Sequence, residues 1–220
     1  MSEPGLTLYS FWRSSAAFRT RIALNLKGLP YEVVETSLAA AVSAQRSPGF
    51  LQKNPQGLVP ALAVGAEVIG ESLAIIEYLD ETHPEPPLLP REPLARARVR
   101  WLAQAIACDI HPLNNLRVLN YLRAPLGHGD EAVNAWIGHW IGEGFAALEE
   151  LAKRFSEDGK VLYGTTVTVA DVCLVPQMYN ARRFNVKLAD FPTLTAISAA
   201  LEALPAFDQA RPERQDAAPR

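Results

Sequence analysis

Two adjacent serines and an arginine occupy a short segment between a predicted strand and a predicted helix. The strand is Leu6–Tyr9 and the helix is Ser15–Lys27, in which apolar residues recur at four-residue spacing. A hydroxyl at the start of a helix commonly accepts hydrogen bonds from free backbone N–H groups and so caps the helix. The same N–H groups, together with the helix macrodipole, favour an anion such as a thiolate. The segment therefore predicts either a helix cap alone or an anion site built from Arg13, Ser14 and Ser15.

The overall composition argues against two classes of partner. The chain has 220 residues, of which 49% are hydrophobic and 20% charged, and its formal net charge is -3 without any basic run. We therefore expect no nucleic acid partner and no binding to a membrane surface. No basic-then-apolar leader and no bilayer-length apolar run is present, so the cytoplasm is the expected location.

The cysteines and histidines point away from disulfide, dithiol and metal chemistry. Cys108 and Cys173 lie far apart in apolar surroundings, which predicts buried thiols in a reducing compartment. Without a Cys-x-x-Cys pair the chain cannot carry out dithiol redox chemistry itself. The four histidines have no partner at metal-ligand spacing, so we predict no metal site.

The first eighty or so residues alternate between strand and helix patterns. After the first strand and helix, Tyr31–Glu35 reads as a second strand, parallel to the first because a helix connects them. A weaker helical pattern covers Leu38–Lys53. Ala61–Val64 and Glu67–Gly70 are predicted to form a hairpin. Ser72 is predicted to cap a helix that ends near Thr82, which completes a βαβ–ββα unit.

The rest of the chain is predicted to be helical. A proline-rich stretch at 84–90 interrupts the pattern and is interpreted as a linker between a first domain, 1–83, and an all-helical domain, 91–220. The tail after Asp208 is polar and is predicted to be disordered. A capping-box spacing joins Thr168 to Asp171. Helices are predicted to start near four residues: Leu94, Asp130, Thr168 and Pro192.

Several sequence blocks, in this order, resemble the signature of the zeta-class glutathione transferases. The resemblance covers nearly the whole chain, from about Leu6 to Phe207, and the blocks are far more specific together than singly. They are Arg13–Leu24, Asn54–Leu62, Glu71–Leu79, Asn114–Leu119 and Ala170–Gln177 with Asn180–Phe184.

The resemblance implies a fold, a cofactor and an activity. The fold is an α/β thioredoxin-like domain followed by an all-α domain, the cofactor is glutathione, and the assembly is a homodimer. The implied activity is glutathione-dependent cis–trans isomerisation of maleylacetoacetate to fumarylacetoacetate, in tyrosine and phenylalanine breakdown, by reversible thiolate addition. Maleylpyruvate isomerase and general zeta-class glutathione transferase remain alternatives. A non-enzymatic binding module is disfavoured because the glutathione motifs are intact.

The resemblance also assigns residues to glutathione. Ser15 is favoured over Ser14 for activating the thiolate, although the residues alone leave that choice open. In the second domain, four residues are implied to face the thiol: His111, Asn115, Leu116 and Arg117. In the first domain, Ser14 and Ser15 are implied to contact the sulfur of glutathione. The backbone of Val59, which precedes a cis Pro60, is implied to pair with its peptide backbone. Glu71 and Ser72 are implied to bind the glutamyl end, and Gln45 the glycyl end.

The substrate implied by the resemblance is a dicarboxylic diketo acid, which needs cationic groups. Arg13 and Arg183 are assigned to it, whereas Arg182 is interpreted as solvated, and Arg19 and Arg21 as surface or structural charges. One departure from the animal-type signature is clear, because Ala16 stands where that signature has a cysteine after the two serines. The thiol must therefore come with the cofactor.

Overall fold

A computed structural model describes residues 5–39 and 42–219, which divide into two units. Leu88–Leu204 form the second unit, and the other described residues form the first. The first unit contains a four-stranded mixed sheet, with the strands β1 (Leu6–Ser10), β2 (Tyr31–Glu35), β3 (Ala61–Val64) and β4 (Glu67–Gly70). Their order is β2-β1-β3-β4, with β1 parallel to β2 and the other pairs antiparallel. This is the predicted thioredoxin-like arrangement.

Three helices accompany these strands along the chain: α1 (Ser15–Leu26), α2 (Pro48–Leu51) and α3 (Ser72–Thr82). The helix α1 buries eight consecutive residues, from Ala17 to Leu24. This run includes Arg19 and Arg21, so both arginines are structural rather than surface charges. At the C-terminal end of α1, the Lys27 ammonium donates to the Asp80 carboxylate over 2.7 Å and to the Pro86 carbonyl over 2.6 Å.

The predicted helix Leu38–Lys53 is wrong as a continuous element. A 3-10 turn at Ala44–Arg46 and a single α-helical turn, α2, take its place. Ser43 has a φ of 44°, which ends any helix that reaches it, and Pro48 begins the next turn because it needs no backbone donor there. Positions 40–41 of this prediction lie outside the described residues.

The regular elements of the second unit are α-helices joined by shorter turns. A π-turn at Ala105–Ile110 and a 3-10 turn at His111–Asn114 lie between the helix that begins at Pro93 and the helix that begins at Leu116. A Cβ atom added at Gly144 would clash with the Ile110 side chain, so this glycine lets the π-turn closely approach the helix that begins at Asp130. The helices are α4 (Pro93–Gln104), α5 (Leu116–Arg123), α6 (Asp130–Phe155), α7 (Val169–Arg183) and α8 (Pro192–Glu202).

The predicted capping box at the start of α7 is present. The buried Asp171 carboxylate accepts from the Thr168 backbone N–H at 2.7 Å, from the Thr168 hydroxyl at 2.9 Å and from the Leu162 N–H at 2.7 Å. Complete burial raises the pKa of Asp171 to about 6, against the opposing effect of these hydrogen bonds.

The C-terminal segment differs from the prediction, because it belongs to the first unit. Its helix α9 (Pro205–Ala210) contacts α1, and the Asn25 side-chain amide donates to the Ala206 carbonyl over 3.0 Å. The polar composition of the tail after Asp208 predicts disorder, but Ala210 and Pro212 in that tail are buried, and Phe207 just before it is fully buried. The predicted linker 84–90 is likewise divided, since the unit boundary falls after Pro87. No described helix combines the length and the apolar character needed to cross a bilayer.

Candidate active site

The turn between β1 and α1 places two serine hydroxyls at a helix N-terminus. Ser14 is the N-cap, and its hydroxyl oxygen accepts from the Ala17 backbone N–H over 3.2 Å. Ser15 is the first helical residue and is half-buried, and its hydroxyl forms no hydrogen bond within the described residues. Ser14 therefore caps the helix, while the Ser15 hydroxyl remains able to donate to an anion beside the free N–H groups of α1.

Arg13 lies on the outer side of the same turn. The turn is closed by a hydrogen bond from the Ser14 N–H to the Phe11 carbonyl, 3.0 Å long. The Arg13 side chain is exposed, and its guanidinium carbon lies 5.1 Å from the centre of the Trp12 ring. Stacking of this kind restricts an arginine while leaving the edges of the guanidinium for hydrogen bonds.

Val59 lies in the loop before β3 and packs beside this turn. It precedes Pro60 through a cis peptide bond, as the resemblance implies, and its side chain packs in a cluster with Tyr9 and Phe11. Its N–H and carbonyl form no backbone hydrogen bonds within residues 5–39 and 42–219. Asn54 holds the preceding loop by donating to the Leu58 carbonyl over 2.9 Å. Val59 therefore presents backbone groups that could pair with an extended peptide.

Gly57 brings the 3-10 turn that carries Gln45 against the same loop. Gly57 has a φ of +61°, and an added Cβ would lie 3.0 Å from the Gln45 carbonyl oxygen. A side chain at position 57 would therefore push this turn away. The Gln45 side chain contains a buried amide oxygen with no hydrogen-bond partner in the described part of the chain. Such an orphaned acceptor is a candidate contact for a ligand N–H group.

Glu71 and Ser72 begin α3, but their roles differ from the prediction. Glu71 rather than Ser72 is the N-cap, with a φ of 61°, and its carboxylate accepts from the Gln56 side-chain amide over 3.0 Å. Ser72 is the first helical residue and is buried; its hydroxyl oxygen accepts from Arg19 Nη1 over 3.0 Å. A guanidinium can only donate, so the Ser72 hydroxyl proton points elsewhere and can meet a ligand carboxylate.

The four predicted residues of the second unit lie in one short segment. His111 is half-buried in the 3-10 turn, and Asn115 caps α5 by accepting from the Arg117 N–H over 3.2 Å. Leu116 and Arg117 are exposed on the first turn of α5. The Trp136 indole N–H donates to the Leu113 carbonyl over 2.8 Å, which holds this segment to α6.

The two neighbouring arginines at the end of α7 have different surroundings. Arg182 is exposed, as expected, and it also pairs with Glu202 at 2.6 Å and donates to the Ser198 hydroxyl. Arg183 is exposed, and its guanidinium carbon lies 4.8 Å from the centre of the Phe184 ring. Arg183 therefore presents its charge at the surface of the second unit.

Comparison with known proteins places this geometry in a family. Residues 8–87 match the glutathione S-transferase N-terminal domain. A probable maleylacetoacetate isomerase from Vibrio cholerae is 50% identical over 96% of this chain and 97% of its own length. The holo structure of a maleylpyruvate isomerase, described as a bacterial glutathione S-transferase of the zeta class, is 47% identical. It aligns with a TM-score of 0.93 over 97% of this chain and all of that one. The chain belongs to the zeta-class glutathione transferases.

A further zeta-class relative has been solved with ligands. The maleylacetoacetate isomerase from Methylobacterium extorquens AM1, with bound malonate and glutathione, is 42% identical. Its TM-score is 0.92, and the alignment covers 97% of this chain and 100% of that one. The family, the fold and glutathione as its cofactor, all expected from the sequence blocks, are thereby confirmed.

Two buried arginines in this zeta-class chain contact the residues of the site, and the sequence pattern did not reveal these contacts. Arg19 contacts Ser72, and Arg21 donates to the carbonyl oxygen of Trp12 in the turn before Ser14. Apart from Thr20 between them, their neighbours in the buried run of α1 are apolar, and that placement is the one sequence signal that could have indicated buried charges.

The cysteines of this zeta-class chain are only partly as expected. Cys173 is buried, but Cys108 is exposed, and neither forms a disulfide. Cys108 lies on the π-turn, whose irregular backbone turns its side chain outward. Both cysteines belong to the second unit, so the first unit has no thiol of its own.

Proposed function

We propose that this chain is a glutathione-dependent cis–trans isomerase that converts maleylacetoacetate to fumarylacetoacetate. The observation that carries the proposal is the turn before α1. There the Ser15 hydroxyl faces no protein partner among the described residues, and the first unit has no thiol that could use it. A bound thiol would complete this site. The first unit would then bind glutathione, and the second would bind the substrate.

The residues of the first unit fit glutathione along its length. Val59 offers unpaired backbone groups for the peptide, and the Ser72 hydroxyl offers a donor for the glutamyl carboxylate, with Glu71 beside it for the amine. The orphaned amide of Gln45 would serve the glycyl end. When bound, glutathione supplies a thiolate that adds reversibly to a conjugated double bond and so allows rotation about it.

The residues of the turn stabilise negative charge. Ser15 donates a hydrogen bond to the sulfur, and the N–H groups at the start of α1 lower the thiol pKa through the helix dipole. Arg13 adds a cation on the outer side of the turn, and Ser14 holds the helix start in place. These groups are oriented before the reaction, and such pre-organised donors commonly contribute the largest share of catalysis.

The substrate requires cations because its two carboxylates carry a charge of about −2 at neutral pH. The chain as a whole is acidic, so those cations must be local. We assign Arg183 to a substrate carboxylate. Its face stacks on Phe184, and the planar fork of a guanidinium matches the two oxygens of a carboxylate. In the second unit, the resemblance implies that His111, Asn115, Leu116 and Arg117 face the thiol of glutathione.

The proposed activity is tested by assaying maleylacetoacetate and maleylpyruvate with and without glutathione. We expect turnover only with glutathione, and no net loss of glutathione. The double variant Cys108→Ala with Cys173→Ala is the matched control and should keep its activity. Turnover that survives complete removal of glutathione would show that the proposal is wrong.

Maleylpyruvate isomerase is the second candidate function. It is favoured by the 47% identity to the structure of that name, which is close to the identity found for the maleylacetoacetate isomerases. The two substrates differ in the length of the keto-acid chain, so the ratio of their kcat/KM values decides between them. A ratio near one would describe an enzyme that serves both.

The enzyme is proposed to be a homodimer, in which the thioredoxin-like unit of one subunit meets the helical unit of its partner. Leu94 and Trp101 lie seven residues apart on α4 and are 56% and 51% exposed, although both are large and apolar. Exposed apolar surface of this kind marks interfaces. Sedimentation velocity at micromolar concentration should show a dimer, and Leu94→Glu should shift it toward monomer. A wild-type monomer would contradict the assignment.

The proposed location is the cytoplasm. Glutathione is kept reduced there, which the proposed chemistry requires. The exposed thiol of Cys108 also suits a reducing compartment.

A further inference from the structure

The carbonyl group of Trp12 is held by a buried charged side chain. Arg21 Nη2 donates to the Trp12 carbonyl oxygen over 3.0 Å. Burial raises the pKa of the nearby Glu35, against the opposing effects of the Trp12 backbone N–H and the Arg21 charge. Trp12 lies two residues before Ser14, inside the turn that presents the serine hydroxyls. The backbone that leads into this turn is therefore tied to the guanidinium of Arg21.

Arg21 joins this turn to two other parts of the first unit. Its Nη1 donates to the Ser10 hydroxyl at the end of β1 over 3.1 Å, and its Nε donates to the Ala210 carbonyl of α9 over 3.0 Å. One guanidinium thus binds a strand, the turn and the C-terminal helix. Only the fixed fork of an arginine can reach three acceptors in this way.

The cost of burying this charge shows how strongly its position is determined. Arg21 is fully buried, and burial lowers its pKa to about 10, so it stays protonated at neutral pH. A buried charge is tolerated only where its acceptors are held in place. The acceptors and the guanidinium therefore fix one another. A shift of α9 or of the turn would leave a buried N–H group without a partner.

We propose that Arg21 is a positioning residue for the thiolate site, and that α9 belongs to this arrangement through the Ala210 carbonyl. The inference rests on the proposed function. Arg21 touches neither the Ser14 nor the Ser15 hydroxyl, and it acts by setting the backbone that carries them. Its loss would move the donors away from the sulfur and so raise the pKa of the bound thiol.

The test compares Arg21→Lys with Asn25→Ala. Lysine keeps the charge but cannot reach all three acceptors. Asn25 donates to the Ala206 carbonyl, so its removal also weakens the attachment of α9 but leaves the turn untouched. The thiol pKa is read from the ultraviolet absorbance of the thiolate in the protein–glutathione complex. Hydrogen exchange of residues 11–14 is measured on the protein without glutathione.

We expect Arg21→Lys to raise the thiol pKa by about one unit, which is a tenfold loss of thiolate at a pH below the pKa. We also expect faster exchange in the turn, a lower kcat and little change in glutathione affinity. Asn25→Ala should lower the free energy of unfolding without these effects. If Arg21→Lys lowers stability but leaves both thiol pKa and exchange as in the wild type, Arg21 is only structural and the inference is overturned.

A second variant covers the case in which Arg21→Lys does not fold. Glu35→Asp keeps the charge on the exposed strand β2 but draws the carboxylate back from Arg21 and from the Trp12 N–H, both of which affect its pKa. It should also raise the thiol pKa and speed exchange at Trp12, and an unchanged thiol pKa in this folded variant would likewise refute the inference. Failure of the isomerase assay alone bears on the proposed function, because the thiol titration needs no substrate.

Discussion

Substituting the two serines of the turn one at a time should show that Ser14 caps the helix and that Ser15 stabilises the thiolate. Ser14→Ala removes the hydroxyl that accepts from Ala17, a cap typically worth about 1 kcal/mol. For a protein of this size that corresponds to a fall in Tm of about 2–4 °C. Ser15→Ala removes no hydrogen bond formed within the described residues, and alanine is the better helix former. Its free energy of unfolding should therefore change by less than about 0.5 kcal/mol.

The effect of Ser15→Ala on the chemistry should be much larger. A hydrogen bond to a charged group is worth about 1.5–3 kcal/mol, which corresponds to a rise of about one to two units in the pKa of the bound thiol. Loss of one such donor typically lowers kcat by about 10²–10³. Urea unfolding, thiolate absorbance and steady-state turnover at saturating glutathione measure the three quantities. Wild-type values of thiol pKa and kcat in Ser15→Ala would refute this reasoning and move the donor role to Ser14.

Three further outcomes follow from the buried and surface charges. Arg183→Ala should lower kcat/KM for the maleyl substrates by roughly 10² but leave kcat/KM for a neutral electrophile nearly unchanged. The control variant Arg182→Ala should lower only the stability of the protein. Equal losses of activity on both kinds of substrate would show that Arg183 is structural. The pKa of Asp171 is raised to about 6 from about 3.9 in the unfolded chain, so its stabilising effect is complete below about pH 4 and is lost as the pH rises through 6. Relative to Asp171→Asn, wild type should therefore lose about 2 kcal/mol of unfolding free energy between pH 4 and 7, and parallel curves would contradict this. Asp80→Ala should lower the free energy of unfolding by about 3–5 kcal/mol in urea because it leaves the buried charge of Lys27 without its carboxylate partner. Replacing both residues with apolar ones should restore most of that free energy.

The elements with strong local signals were predictable from the sequence. The bounds of β2, both hairpin strands and α3 agree with the structure because alternation, turn residues and helical spacing all act within a few residues. The turn that carries Ser14 and Ser15 was located in the same way. The capping box at Thr168 and Asp171 is also local, since its donors and acceptors lie three residues apart.

What the sequence did not reveal depends on residues that are far apart in the chain. Arg21 is buried because it meets a carbonyl 189 residues away, and Arg19 meets a hydroxyl 53 residues away. No periodicity within α1 shows such acceptors, so both charges resembled surface residues. The prediction of disorder after Asp208 is wrong for the same reason, since Ala210 is buried where its carbonyl meets Arg21, far away in the chain. The role of Ser72 also changed because its partner lies on another helix.

The return of the chain to the first unit has a consequence for how the protein is made. The ribosome must synthesise the entire second unit, Leu88–Leu204, before the helix that completes the first unit exists. Domains usually fold in order as they emerge during synthesis. Here the early unit must wait with Arg21 lacking its Ala210 acceptor and with the site for Phe207 unfilled. A nascent chain that stops short of α9 would thus carry the proposed glutathione contacts of the first unit on a scaffold that is not yet finished.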